Sequence, residues 1–189
     1  MLGDSSSAPV SLRKGTVPGP TSTSENVPDL AGAADSRSSS VPASVIIRVV
    51  RAYVGVGSNL GDREHTLRAA LERLAASPGV EVVAVSSLRE TDPVGPVTDQ
   101  PRFLNGAAAL ETSLSPRLLL ELLLQIEAEF GRTRNGPAGG PRTLDLDLLL
   151  YGDVHLCEPG LEVPHPRLHE RDFVLEPLRE LGWTPPAPG

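Results

Sequence analysis

"GPRTLDLDLLLYG", residues 140–152, places Asp145 and Asp147 one residue apart inside an apolar run. Seven residues of leucine and aspartate before a tyrosine and a glycine read as a strand bounded by turns. Side chains alternate across a strand, so Leu144, Leu146, Leu148 and Leu150 are expected on one face, and Asp145, Asp147, Leu149 and Tyr151 on the other. A carboxylate is costly away from water unless something pairs with it. The aspartate face therefore meets either solvent or a cation. Two carboxylates roughly 6.5–7 Å apart along a strand repel each other, and a hard divalent ion such as Mg²⁺ between oxygen ligands relieves that repulsion. An alternating solvated sheet face would give the same pattern.

Working outward, "RTRNGPAGGP" (132–141) precedes the strand. It is expected to be a mobile loop, with Arg132, Arg134 and Arg142 close to the aspartates. Guanidinium forks suit phosphate oxygens. Behind the strand, "VPHPR" holds His165 between two prolines that restrict the backbone, with Arg167 and Arg171 following. A phosphate or nucleotide contact fits this cluster, although a lone histidine is more often structural. Upstream, Ser115-Pro116 opens a helix whose buried stripe is Leu119, Leu122, Leu123, Ile126 and Phe130. Residues 62–76 form an earlier helix capped by Asp62 and stopped at Pro78-Gly79. Strands are expected in the second half of Val45–Gly57, at Val80–Leu88 and, more weakly, at the Ala-rich Leu104–Glu111. "RETDPVGPVTDQPRF" reads as a long loop. "GVGSNLG" fits neither the P-loop nor the dinucleotide pattern and reads as a tight turn in which Asn59 bonds backbone locally. A short helix is expected near 171–181. The resulting order, β-α-β-loop-β-α-loop-β-loop-α, suggests an α+β fold of ferredoxin-like type, an antiparallel sheet with helices packed on it.

The chain has 189 residues, a net charge of −7 and one cysteine, Cys157. The acidic balance argues against a nucleic-acid surface. One cysteine permits no intrachain disulfide and fits a reducing, cytoplasmic setting. No run approaches a membrane span. Residues 1–44 contain eleven serines, five prolines and no aromatic residue, and are expected to be a disordered tail ahead of a single domain over 45–185.

Four motifs, "VGVGSNLGD", "DQPRFLNGA", "GPRTLDLDLLLYG" and "VPHPRLHERDFVLEPL", occur in the order and spacing of the 6-hydroxymethyl-7,8-dihydropterin pyrophosphokinase family, which the chain resembles over about 52–184. The resemblance implies a ferredoxin-like α+β fold and pyrophosphate transfer from ATP to the pterin hydroxymethyl group, with release of AMP, in tetrahydrofolate biosynthesis. It implies two Mg²⁺ ions held by Asp145 and Asp147, with ATP as co-substrate. It implies that Arg132 and Arg142 serve catalysis, and that Arg134, Arg142, His165 and Arg171 bind ATP. Thr91, Val94, Phe103, Asn105 and Phe173 would bind the pterin. The partners implied are these small molecules alone, for a monomer. One departure stands out. Many members carry a Trp-Gly before Pro-Arg, where this chain reads "NGPAGGPR", so Gly139 replaces the lid tryptophan and a weaker closed state is expected. Two other readings fit the same residues: a different Mg²⁺-dependent nucleotidyl or phosphoryl transferase, and a small-molecule-binding module that has lost activity.

Overall fold

A computed structural model describes residues 48–133, 139–170 and 172–185. The expected tail, Arg134 and Arg171 lie outside the described residues. The elements are β1 (Val50–Ser58), α1 (Arg63–Ala75), β2 (Val80–Val85), β3 (Arg89–Thr91), β4 (Phe103–Thr112), α2 (Pro116–Glu129), β5 (Asp145–Tyr151), β6 (Leu156–Glu158), β7 (Leu161–Val163) and α3 (Asp172–Glu180).

The main sheet runs β2-β4-β1-β5, with β3 also paired to β4. Every pairing is antiparallel, which makes β1 and β2 parallel to each other with β4 between them. Likewise β4 and β5 are parallel with β1 between them. Two β-α-β units, each split by a strand of the other, form the expected ferredoxin-like α+β arrangement.

Both long helices begin where their sequence directs. The Asp62 side chain accepts the His65 N–H at 3.1 Å, and Ser115 Oγ accepts that of Leu118 at 3.3 Å with Pro116 opening the helix; each satisfies a backbone donor that the first turn leaves over. The apolar stripes of α1 (Leu67, Ala70, Leu74) and α2 (Leu119, Leu123, Ile126) cover one sheet face, meeting Ala52, Val54, Val56, Ala108, Leu110, Leu146 and Leu148. Helix α3 covers only part of the other face, where Leu178 joins Ala107, Leu149 and Leu150. The rest of that face stays open.

The expected Ala-rich strand is present, and three details depart from the expected order. The Ala-rich β4 is a central strand, paired on both sides, because a strand sandwiched between helices gains from small buried residues whatever their intrinsic β-propensity. The 89–103 loop contains β3, which pairs Thr91 with Phe103. Residues 156–163 form the β6-β7 hairpin, a satellite whose Leu161 and Val163 join the core under α1 and α2. The alternation along β5 breaks at a bulge. Tyr53 faces Leu150 while Val54 faces Leu148, leaving Leu149 extra. An extra residue reverses the facing of all that follows. Leu150 therefore lies under α3 with Leu149, and Tyr151 turns back to the α1/α2 core, where its hydroxyl donates to the Leu114 carbonyl at 2.5 Å. The aspartates precede the bulge and keep the expected face.

Candidate active site

The open half of the α3 face is a cleft of about 420 Å³. Its floor is two rows across three strands. Asn105, Gly57 and Asp145 lie side by side, and Ala107, Gly55 and Asp147 form the next row. The two glycines separate the acidic strand from the asparagine strand without filling the space between. A Cβ on Gly57 would come within 2.4 Å of Asn105 Oδ1, and one on Gly55 within 3.5 Å of the Leu149 side chain.

At the acidic end, Asp145 and Asp147 are half-buried on one strand face and both line the cleft. Asp145 is held from two sides. Arg142 Nη1 donates to its Oδ2 at 3.1 Å, and Arg132 Nη1 donates to its Oδ1. Arg142 Cζ also stands 5.4 Å from the centroid of the Phe103 ring, a cation–π distance, and its Nε is buried with no hydrogen-bond partner among the described residues. The arginine thus touches the carboxylate end and the aromatic end of the cleft together.

His165 borders the same end. Its N–H donates to the Leu149 carbonyl at 2.9 Å, and its Nδ1 accepts the Arg167 N–H at 3.2 Å. With Nδ1 engaged as an acceptor, Nε2 is the ring nitrogen left to donate. Pro166 and Arg167 also line the cleft.

At the other end, Phe103, Phe173, Thr91 and Val94 border the space above Asn105. Phe103 is buried, and Val94 is 63% exposed. Asn105 Nδ2 donates to Thr91 Oγ1 at 2.7 Å, which orients the amide across the sheet. Arg89 on β3 pairs with Glu176 of α3. Glu180 of α3 accepts from Ser87 N–H and Oγ at 2.8 and 2.7 Å, which holds its carboxyl below the usual carboxylate range. These contacts fix the helix that carries Phe173. Glu90 is likewise held low by Arg63, which donates to it at 2.6 Å.

Of the residues singled out from the sequence, Thr91, Val94, Phe103, Asn105, Arg142, Asp145, Asp147, His165 and Phe173 line one cleft. Arg132 reaches it through Asp145. Gly139 lines it too, with φ +79°, so its backbone is one that L side chains rarely adopt. Asn59 corrects the expectation that its side chain bonds backbone locally. Its Oδ1 accepts the Arg142 N–H at 2.8 Å, and its Nδ2 donates to Gln100 Oε1 and the Pro101 carbonyl at 2.9 and 3.0 Å. Gln100 in turn donates to the Val97 and Gly139 carbonyls at 2.6 and 2.8 Å. Buried Asn59 and half-buried Gln100 stitch together the two loops that wall the cleft, and nothing local in the sequence indicates it. Glu127 was also missed. It is 2% exposed on α2, and its spacing of four from Leu123 and eight from Leu119 placed it on the buried stripe.

A family model described as 7,8-dihydro-6-hydroxymethylpterin-pyrophosphokinase matches residues 53–182. A Bacillus subtilis protein named 2-amino-4-hydroxy-6-hydroxymethyldihydropteridine pyrophosphokinase is 53% identical over 130 residues, covering 69% of this chain and 77% of its own. A Pseudomonas aeruginosa protein of the same name is 50% identical over 133 residues, 70% of this chain and 81% of that one. An Arabidopsis thaliana "Folate synthesis bifunctional protein" is 48% identical over 131 residues, 69% of this chain but 27% of its own.

Proposed function

The chain belongs to the 7,8-dihydro-6-hydroxymethylpterin-pyrophosphokinase family, and from that premise we propose that the cleft over Gly55 and Gly57 is where pyrophosphate passes from ATP to the pterin. The protein is a pyrophosphokinase of folate biosynthesis that uses ATP as co-substrate. The pterin hydroxyl oxygen forms a bond to the β-phosphorus of ATP, the bond from that phosphorus to the α–β bridging oxygen breaks, AMP leaves, and the hydroxyl proton is released. The observation that carries the reading is the shared floor: a carboxylate pair and an amide face one cleft across two glycines.

The donor set fits a hard divalent cation. Asp145 and Asp147 offer carboxylate oxygens on one face, and the adjacent glycines leave that face uncrowded. Two Mg²⁺ ions held there would neutralise the polyphosphate and draw charge from the phosphorus as it is attacked. The chain's own residues do the positioning. Arg142, Arg132 and Arg134 follow the phosphate charge. His165 can donate from Nε2 to a phosphate oxygen, and Arg171 adds a further guanidinium. Asn105 offers an acceptor and a donor to the matching edge of the pterin. Phe103 and Phe173 flank its flat ring, and the backbone of the segment at Thr91 and Val94 reads it. Holding both substrates in line supplies much of the acceleration. We read the active unit as residues 45–185, working as a cytoplasmic monomer.

Wild-type protein with ATP, Mg²⁺ and hydroxymethyl-dihydropterin should form AMP and the pterin pyrophosphate. ADP in place of AMP would point to simple phosphoryl transfer; pterin binding without AMP would point to a binding module. Asp147→Ala should remove Mg²⁺-dependent turnover while costing about 1 kcal/mol or less of stability. Unfolding of that variant would make the aspartate structural.

A further inference from the structure

We infer that Glu127 is a positioning residue that sets how tightly Arg132 holds Asp145, and so how readily Asp145 accepts a divalent cation. The inference rests on the reading of Asp145 as a cation ligand. A glutamate is almost never fully buried unless paired, yet Glu127 is 2% exposed among Leu119, Leu123 and Ile126. Its Oε1 accepts twice. The Leu146 N–H reaches it at 2.8 Å, and Arg132 Nη1 donates to the same oxygen. The Leu146 N–H comes from edge strand β5, between the two aspartates, so the bond fixes the backbone that carries both carboxylates. The Arg132 backbone N–H also bonds the Glu127 carbonyl, at 3.0 Å. Helix α2 therefore grips Arg132 by main chain and side chain at its C-terminal end.

The charges alternate along one line: Glu127, Arg132, Asp145, Arg142. Without a cation, the two arginines neutralise Asp145. A cation that takes Asp145 must loosen the Arg132 contact. With Glu127 on its other side, the guanidinium remains compensated when it lets go, and stays in place to meet phosphate. Without the Glu127 charge, Arg132 has Asp145 as its remaining anionic partner among these four and holds it harder. The cation then competes less well. Groups one step behind a metal ligand commonly shift affinity in this way.

Glu127→Gln tests this, because the amide oxygen still accepts from Leu146 while the volume stays and the charge goes. Mn²⁺ affinity is measured by calorimetry on the full chain with no nucleotide, alongside thermal melting and steady-state kinetics. Mn²⁺ should bind roughly tenfold more weakly, the Mg²⁺ concentration for half-maximal rate should rise, and the KM for pterin should not move. Glu127→Asp, which keeps the charge, should recover part of the Mn²⁺ affinity. A Glu127→Gln protein with wild-type Mn²⁺ affinity would overturn the inference, as would one that only melts earlier. If wild-type protein binds no Mn²⁺ and forms no AMP, the functional reading falls and takes this inference with it.

Discussion

At the residue scale, the most tightly enclosed glycine of the cleft is Gly57. Gly57 sits between Asn105 and Asp145, and an added methyl would meet Asn105 Oδ1 at 2.4 Å. The amide must then rotate away from Thr91, or β1 must shift. Gly57→Ala should therefore cost about 1–3 kcal/mol of stability and raise the pterin KM more than the ATP KM. Equal KM values for wild type and variant would show that Asn105 does not orient the substrate. Asp145 and Asp147 were legible from their spacing alone, since a strand's period of two puts both on one face. That Asp145 is shared by two arginines was not, because Arg132 reaches it from the end of another element.

Among elements, α3 shows how the second wall of the cleft is held. Its contacts with the neighbouring β3 segment are polar: Arg89 with Glu176, and Ser87 with Glu180. Glu180 has its carboxyl lowered chiefly by the Ser87 hydroxyl, then by the Ser87 backbone N–H. A group whose folded pKa lies below its unfolded value adds stability above the unfolded value of 4.5 and loses it as pH falls through the folded one. Melting temperature should therefore fall between pH 5 and pH 3, and the fall should be shallower in Glu180→Gln. An identical acid limb in the variant would mean that this anchor carries no pH-dependent stability. The caps of α1 and α2 were readable from Asp62 and Ser115-Pro116 because a cap is a local contact. Strand β3 was hidden by the prolines and glycine that follow it, since three residues can pair only where β4 already offers an edge.

For the whole molecule, the stretch ending at Gly139 poses the remaining question. By the family resemblance Gly139 takes the place expected for a tryptophan, and its φ of +79° is one that a tryptophan would adopt under strain. Gly139→Trp should cost about 1–2 kcal/mol of stability and, by covering the nucleotide, tighten ATP. Unchanged ATP affinity would remove the missing aromatic as a cause of weaker closure. The sequence by itself determined the strand that bears the aspartates, the two capped helices and the α+β order, because periodicity and caps act within a few residues. It also carried the family, through motifs that survive as short runs. Only the tertiary structure decided what surrounds those residues. The bulge at Leu149 sends Leu150 and Tyr151 to faces that alternation would not give them. Asn59 and Gln100 join loops some forty residues apart, and Glu127 reaches β5 from α2. Such contacts depend on which elements become neighbours in the packed sheet, and local pattern does not encode that choice.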